Sequence, residues 1–131
     1  MNRILLDTNA YIRFLAGDVR VLNVLAGAER IYMSVFVLGE LSAGFRVGRK
    51  GRENKNVLDR FMEKPGVEVL DATRETADVF GLVKHTLKNA GTPIPMNDVW
   101  IAAHALETGS VLVTYDAHFQ VVPGLRIWES E

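Results

Sequence analysis

Four carboxylates carry the chemical interest of this sequence: Asp7, Glu40, Asp98 and Asp116. Taken singly, each has an ordinary explanation. Asp98 can favour a helix dipole, Asp7 and Asp116 can make Asx turns, and Glu40 can pair with a buried arginine. Taken together they raise an electrostatic problem, because two carboxylates about 4 Å apart repel by roughly 4 kcal/mol at an effective dielectric of 20. Four of them in one crevice need a cation. With no cysteine in the chain, an all-oxygen site suits a hard ion, Mg²⁺ or Mn²⁺, held by few carboxylates and several waters. Such an ion activates water and neutralises charge growing on a phosphate during in-line displacement.

The elements around these acids bring them together. The run "RILLD" reads as a strand ended by Asp7, followed by the helix "TNAYIRFLAG" and a second helix, "VRVLNVLAG", ending near Gly27. "RIYMS" is a strand whose Ser34 caps the helix "VFVLGELSAGFRVG". A polar loop, "RKGREN", leads to the helix "NKNVLDRFMEK", which "PG" stops. "VEVL" is a third strand, and Thr73 opens a long helix closed by Gly91. "TPIP" excludes helix up to Met96. A helix from Asp98 to Thr108 then stops at Gly109 and feeds the strand "SVLVT", and "LRIW" supplies a last short strand. Short apolar strands alternating with helices predict an α/β fold with a central parallel sheet of four to five strands and helices on both faces.

Ligands of such open sheets bind outside the carboxyl ends of the strands. Asp7 follows the first strand and Asp116 the fourth. The helix headed by Asp98 runs antiparallel to the strand it feeds, so its N-terminus lies at the same edge. Glu40 shares a helical stripe with Phe36, Val37, Ala43, Gly44 and Val47, a carboxylate in an apolar face. Breaks in binary patterning of this kind are expected where function overrides folding. Asp98 repeats it more mildly beside Ala102 and Ala105.

The remaining composition excludes several classes. The 131 residues are 48% hydrophobic with a net charge of -1, which predicts a single domain over 1–131 with a sizeable core. A near-neutral chain is not drawn broadly to polyanions, so nucleic-acid binding would need a local basic patch. Without cysteine there are no disulfides or thiolate metal sites, and the first apolar run is too short for a signal peptide. The longest apolar stretch, 31–38, falls far short of the roughly 20 residues that span a bilayer. The expectation is a cytoplasmic protein with no membrane contact.

"LLDTNAYI", "SVFVLGEL", "NDVWIAAHALETG" and "VLVTYDAHF…VPGLRI" together resemble the successive motifs of PIN-domain ribonucleases, in particular the VapC-type toxins of toxin–antitoxin pairs. The likeness covers nearly the whole chain and includes the spacing of all four acids. It implies a PIN-like three-layer fold with Asp7, Glu40, Asp98 and Asp116 as catalytic and metal-binding residues. Thr8, Asn9 and Thr114 would position them by hydrogen bonds. It also implies Mg²⁺- or Mn²⁺-dependent endoribonuclease activity, a homodimer, and inhibition by a cognate antitoxin. The apolar helices over 11–25 would offer its docking groove. Where some relatives carry a further acid after the fourth, this chain has His118.

From Arg46 to Arg60 six basic residues face two acids, a local balance of 6 − 2 = +4. Arg46, Arg49, Lys50 and Arg52 form either a phosphate-contacting arm beside Glu40's helix or a solvated face. His85 and His104 lack zinc-ligand pairing and fit surface or core roles, whereas His118 stands close enough to Asp116 to reach substrate. Trp100 and Phe119 are expected in the core, and Tyr11 fits either core or site. An aspartyl-phosphate enzyme would want a second acid two residues after Asp7, where Asn9 stands. A phosphoacceptor domain could use Asp71 but lacks the paired acids after strand one. A housekeeping PIN-type nuclease and a catalytically inactive RNA-binding relative stay as alternatives.

Overall fold

The computed structural model describes residues 3–129. Five short strands, β1 (Arg3–Leu6), β2 (Arg30–Ser34), β3 (Val67–Leu70), β4 (Val111–Val113) and β5 (Arg126–Ile127), form one sheet. Their order is β3-β2-β1-β4-β5, and every pairing is parallel. Six helices connect them: α1 (Thr8–Leu15), α2 (Val19–Gly27), α3 (Val35–Val47), α4 (Gly51–Met62), α5 (Arg74–Ala90) and α6 (Met96–Thr108). A 3-10 segment, Ala117–Val121, follows β4. This is the three-layer α/β architecture the strand–helix alternation predicts.

The sheet's centre is continuous apolar sequence because helices cover both of its faces. Ile4, Leu5 and Leu6 of β1 and Leu112 and Val113 of β4 are fully buried, as a doubly covered parallel sheet requires. The chain steps from β1 outward through β2 to β3, then returns to the other side of β1 for β4 and β5. The carboxyl ends of β1 and β4 therefore flank the topological switch point, the crevice where ligands of open α/β sheets bind.

Most boundaries follow local chemistry. Ser34 accepts the Phe36 N–H as the cap of α3. Thr73 and Thr76 form a reciprocal capping box at α5. Gly91 and Gly109 end α5 and α6 at φ 72° and 64°, left-handed values that favour glycine.

Four expectations need correction. The segment 49–54 is not a loop throughout, since α4 begins at Gly51, where a β-carbon would run into the Phe45 carbonyl oxygen. Its arginines, glutamate and lysine are polar but good helix formers, and Leu58 and Phe61 anchor the face they share. Next, α6 starts two residues before Asp98, straight after Pro95, so Asp98 lies inside the first turn and is not the cap. The strand "SVLVT" is only Val111–Val113 and "LRIW" only Arg126–Ile127. The Thr114 carbonyl leaves the ladder to accept the Trp128 indole N–H (2.6 Å), and the Tyr115 N–H turns to Asn9. Finally, the stripe holding Glu40 is not one uniform face, since its Val37 is fully buried and its Phe36 half-buried. Val37 and Leu41 point inward, while Glu40, Ala43, Gly44 and Val47 are exposed.

Phe119 and Tyr11 are fully buried, and Tyr11 packs edge-on against Phe61 at 5.4 Å. Trp100 is half-buried in a stack between Phe36 and Phe80. His104 is a core histidine: Nε2 donates to the Asp71 carbonyl (3.1 Å), which leaves Nδ1 to accept the Ser34 hydroxyl (2.7 Å). Burial pushes its pKa down, so the ring is held neutral. His85 is exposed beside Asn89.

Candidate active site

The site is assembled from four chain segments at the carboxyl edge of β1 and β4. Asp7 continues β1 by one residue, its N–H donating to the Val113 carbonyl at 2.9 Å. It occupies the cap position of α1 without spending its carboxylate on the usual capping bond. The Thr114 hydroxyl donates instead to Asp7 Oδ2 (2.7 Å) and accepts the Asp116 N–H (3.0 Å). One threonine thus ties the residue after β1 to the residue beyond β4. The Thr8 hydroxyl donates to Glu40 Oε1 (2.6 Å), fixing α3 against the start of α1, and Asn9 Oδ1 accepts the Tyr115 N–H (3.1 Å). Thr8 and Thr114 thus bond the acids directly, whereas Asn9 holds the Tyr115 backbone next to Asp116.

The carboxylates feel one another. Asp7 is 5% exposed, and its pKa is pushed up to about 6. Burial is the largest cause, opposed by the Thr114 hydroxyl and the Thr8 N–H and reinforced by the charges of Asp98 and Glu40. Asp98 is likewise raised, first by burial, then by Asp116 and Glu40, while His118 lowers it. Asp7 and Asp98 thus feel each other's charge and that of Glu40, and Asp98 also feels Asp116.

The structure adds a nitrogen to what the sequence presented as an all-oxygen set. His118 Nδ1 lies 3.2 Å from Asp98 Oδ2 and 3.1 Å from Asp116 Oδ1. Donor atoms of Asp98, Asp116 and His118 all fall within 4.8 Å of one another. The 3-10 segment explains the placement: Asp116 caps it by accepting the His118 N–H (2.9 Å), which turns residue 118 back over its own cap. The spacing Asp-x-His at a turn is the sequence signal for this contact. Two close carboxylates with one imidazole, backed by a desolvated third acid and by Glu40, fit a divalent cation as counter-charge.

Arg46, Arg49 and Lys50 are exposed at the end of α3 and in the turn after it. Arg46 and Arg52, with Lys55, line a groove between α3 and α4. A second groove runs between α1, α3 and α4, lined by Thr8, Tyr11, Ile12, Leu15, Gly44 and Phe45, with Glu40 at its rim. This groove shares Tyr11, Ile12, Leu15 and Ala16 with the segment 11–25 and takes its other walls from α3 and α4.

Comparison with known proteins places this geometry. Residues 4–125 match the PIN domain family. The Salmonella typhimurium tRNA(fMet)-specific endonuclease VapC is 30% identical over 130 residues, 97% of each chain. Ribonuclease VapC2 of Rickettsia felis is 31% identical over 105 residues, 79% of this chain and 77% of the relative. Among solved structures, Rickettsia felis VapBC2 bound to a promoter DNA fragment superposes with a TM-score of 0.87 at 26% identity, covering 98% of this chain and 99% of that one. The chain belongs to the PIN domain family and, within it, to the VapC ribonucleases.

Proposed function

We propose that this protein is a divalent-metal-dependent endoribonuclease, the toxin of a toxin–antitoxin pair, with Asp7, Glu40, Asp98 and Asp116 as its catalytic acids. The observation that carries the reading is the convergence of these four carboxylates at the β1/β4 switch point, with a nearly buried Asp7 and few cations to balance them. Asp98 and Asp116, with Asp7 beside them, would hold Mg²⁺ or Mn²⁺. The bound ion supplies a more acidic water and charge neutralisation at the phosphate. Thr114 keeps Asp7 and Asp116 at fixed separation, and Thr8 does the same for Glu40. Glu40, exposed and aligned by Thr8, is placed to accept the proton of an attacking water.

The substrate is RNA, and the name of the Salmonella relative makes tRNA(fMet) the first substrate to try. Arg46, Arg49, Lys50 and Arg52 would meet its phosphates beside Glu40's helix. The antitoxin would seat an apolar segment in the α1/α3/α4 groove, where Ile12 and Leu15 are exposed, and two copies of the chain would form a homodimer. No helix among the described residues is long and apolar enough to cross a membrane.

The test is cleavage of a defined RNA panel by the purified protein with Mg²⁺ or Mn²⁺, with EDTA, and with the Asp7→Ala and Asp98→Ala variants. Cleavage should fall to background in EDTA and in both variants. Undiminished activity in either variant removes that acid from the site. Growth arrest by the wild type but not by Glu40→Gln, relieved by co-expressing the small protein of the adjacent gene, separates a toxin from a housekeeping nuclease.

A further inference from the structure

Beside the acid cluster stands a second constellation that none of its chemistry uses. Tyr115, the residue before Asp116, extends its ring away from the acids along α1. The Arg13 guanidinium carbon lies 4.0 Å from the centre of that ring, and that of Arg20 lies 5.2 Å away. Trp128 meets the ring edge-on at 5.3 Å and 87°, and the Tyr115 hydroxyl donates to Asp18 Oδ2 at 2.6 Å. The ring is therefore fixed on three sides. Asn9 and Arg13 are four residues apart on α1 and share one face. Asn9 holds the Tyr115 backbone while Arg13 covers its side chain.

The charges are unequally satisfied. Asp18 takes the Tyr115 hydroxyl and pairs with Arg20 at 3.4 Å, and its pKa falls to about 2, chiefly through that hydroxyl. Arg13 has only the ring: among the described residues no carboxylate lies within ion-pair distance of it. Arg13 is exposed, with its N–H donors turned to solvent around a guanidinium that the ring holds in place. A guanidinium stacked on an aromatic ring loses less rotamer freedom when it binds an oxyanion. A cation in the last turn of α1 also suits the helix dipole, but the dipole asks neither for the ring nor for the free donors.

We propose that Arg13, oriented by Tyr115, binds a phosphate of the RNA next to the one being cleaved, and so positions the strand across Asp98 and Asp116. The four-residue step from Asn9 to Arg13 is about 6 Å of helix rise, which sets the contact beside the acid cluster and not within it. Arg13 and Tyr115 are positioning residues; neither touches the reacting atoms. The inference rests on the ribonuclease reading.

The test measures RNA binding and cleavage separately. In an Asp98→Asn background, a labelled single-stranded RNA is titrated by fluorescence anisotropy at increasing KCl, with Arg13→Ala, Arg13→Lys, Tyr115→Leu and Tyr115→Phe added in turn. Loss of one phosphate contact should weaken binding about tenfold at low salt. It should also reduce the slope of log affinity against log salt by about 0.7 for Arg13→Ala. Arg13→Lys should keep the slope, and Tyr115→Phe, which keeps the ring, should bind like its parent. Tyr115→Leu should weaken binding. In the otherwise wild-type enzyme, Arg13→Ala should raise KM with kcat little changed. Melting temperatures equal to the parent's in the Asp98→Asn background, and an unchanged Mn²⁺-induced shift when each substitution is made in the otherwise wild-type enzyme, show that each variant is folded with its acid site intact. Wild-type affinity and slope in Arg13→Ala overturn the proposal, as does weaker binding at an unchanged slope, which would mean stacking on a base. Loss of antitoxin affinity with RNA binding intact also overturns it and assigns the guanidinium to a protein interface. A wild type that neither binds nor cleaves RNA overturns the ribonuclease reading itself, a result distinguishable from all of these.

Discussion

Replacing Asp7 by Asn tests whether the site is an electrostatic liability that a cation relieves. Asp7 has an ordinary pKa of 3.8 and one of about 6 in the folded protein. Below 3.8 it is protonated in both states and contributes nothing against folding. As pH rises through 3.8 the unfolded chain releases the proton first, so stability falls until the folded group also ionises near pH 6. The difference of about 2 between the two values corresponds to about 3 kcal/mol at neutral pH, at 1.36 kcal/mol per tenfold step in acidity. Asn keeps the shape and an oxygen for the Thr114 hydroxyl without the charge. In EDTA at pH 7 the Asp7→Asn protein should therefore gain up to about 3 kcal/mol, or roughly 10 °C in melting temperature for a domain of this size. The assay is a set of melting curves from pH 4 to 8 for both proteins without metal. Their melting temperatures should coincide near pH 4 and separate between pH 4 and 7, with the variant above. A variant less stable than wild type at pH 7, or a difference that does not change with pH, refutes the argument. Either result would mean that Thr114 and Thr8 satisfy the ionised carboxylate well enough to cancel its burial.

Metal should act in the opposite direction: Mn²⁺ at tenfold excess over its dissociation constant stabilises the wild type by about 1.4 kcal/mol, a shift of roughly 3 to 6 °C. Asp98→Asn should raise the metal-free melting temperature and abolish most of that shift; equal shifts in both proteins would remove Asp98 from the ligand set. The Tyr11 hydroxyl is buried with no hydrogen-bond partner among the described residues, so Tyr11→Phe should stabilise by about 1 kcal/mol, and a clear loss on thermal unfolding would reveal a partner for it. Gly51→Ala places a β-carbon against the Phe45 carbonyl and should destabilise by about 1 to 3 kcal/mol by moving the start of α4; neutral stability would show that the α3–α4 turn relaxes freely.

Much of this protein is written in local sequence. Ser34, Thr73, Gly91 and Gly109 act on backbone within a few residues of themselves, so the ends of α3, α5 and α6 follow from them directly. The continuous apolar runs of β1 and β4 demand burial on both faces, which makes a parallel sheet with helical layers the consistent solution. Once the sheet is parallel, Asp7, Asp98 and Asp116 share its carboxyl edge, and the family motifs add Glu40. Local sequence misled where polarity stood in for structure. Residues 51–54, with Arg52 and Glu53 among them, lack apolar side chains yet are helical, because Leu58 and Phe61 dock the rest of α4. Glu40 lines an open groove with Gly44 and Phe45, while Val37 fills the inward face of α3.

What only the tertiary structure decided are the pairings between distant segments. Thr114 reaches Asp7 across 107 residues of chain, and Tyr115 reaches Asp18 across 97. A hydroxyl's choice of partner has no periodicity to betray it. The depth of Asp7, and with it the displaced pKa, depends on how completely β4 and the Thr114 that follows it close over it. His118 lies between two carboxylates because a 3-10 turn after β4 folds it back, a matter of a few backbone angles. Helix caps and apolar periods are short-range and additive, so sequence states them; desolvation and side-chain convergence are properties of the packed whole, and exist only once the sheet has brought its strands side by side.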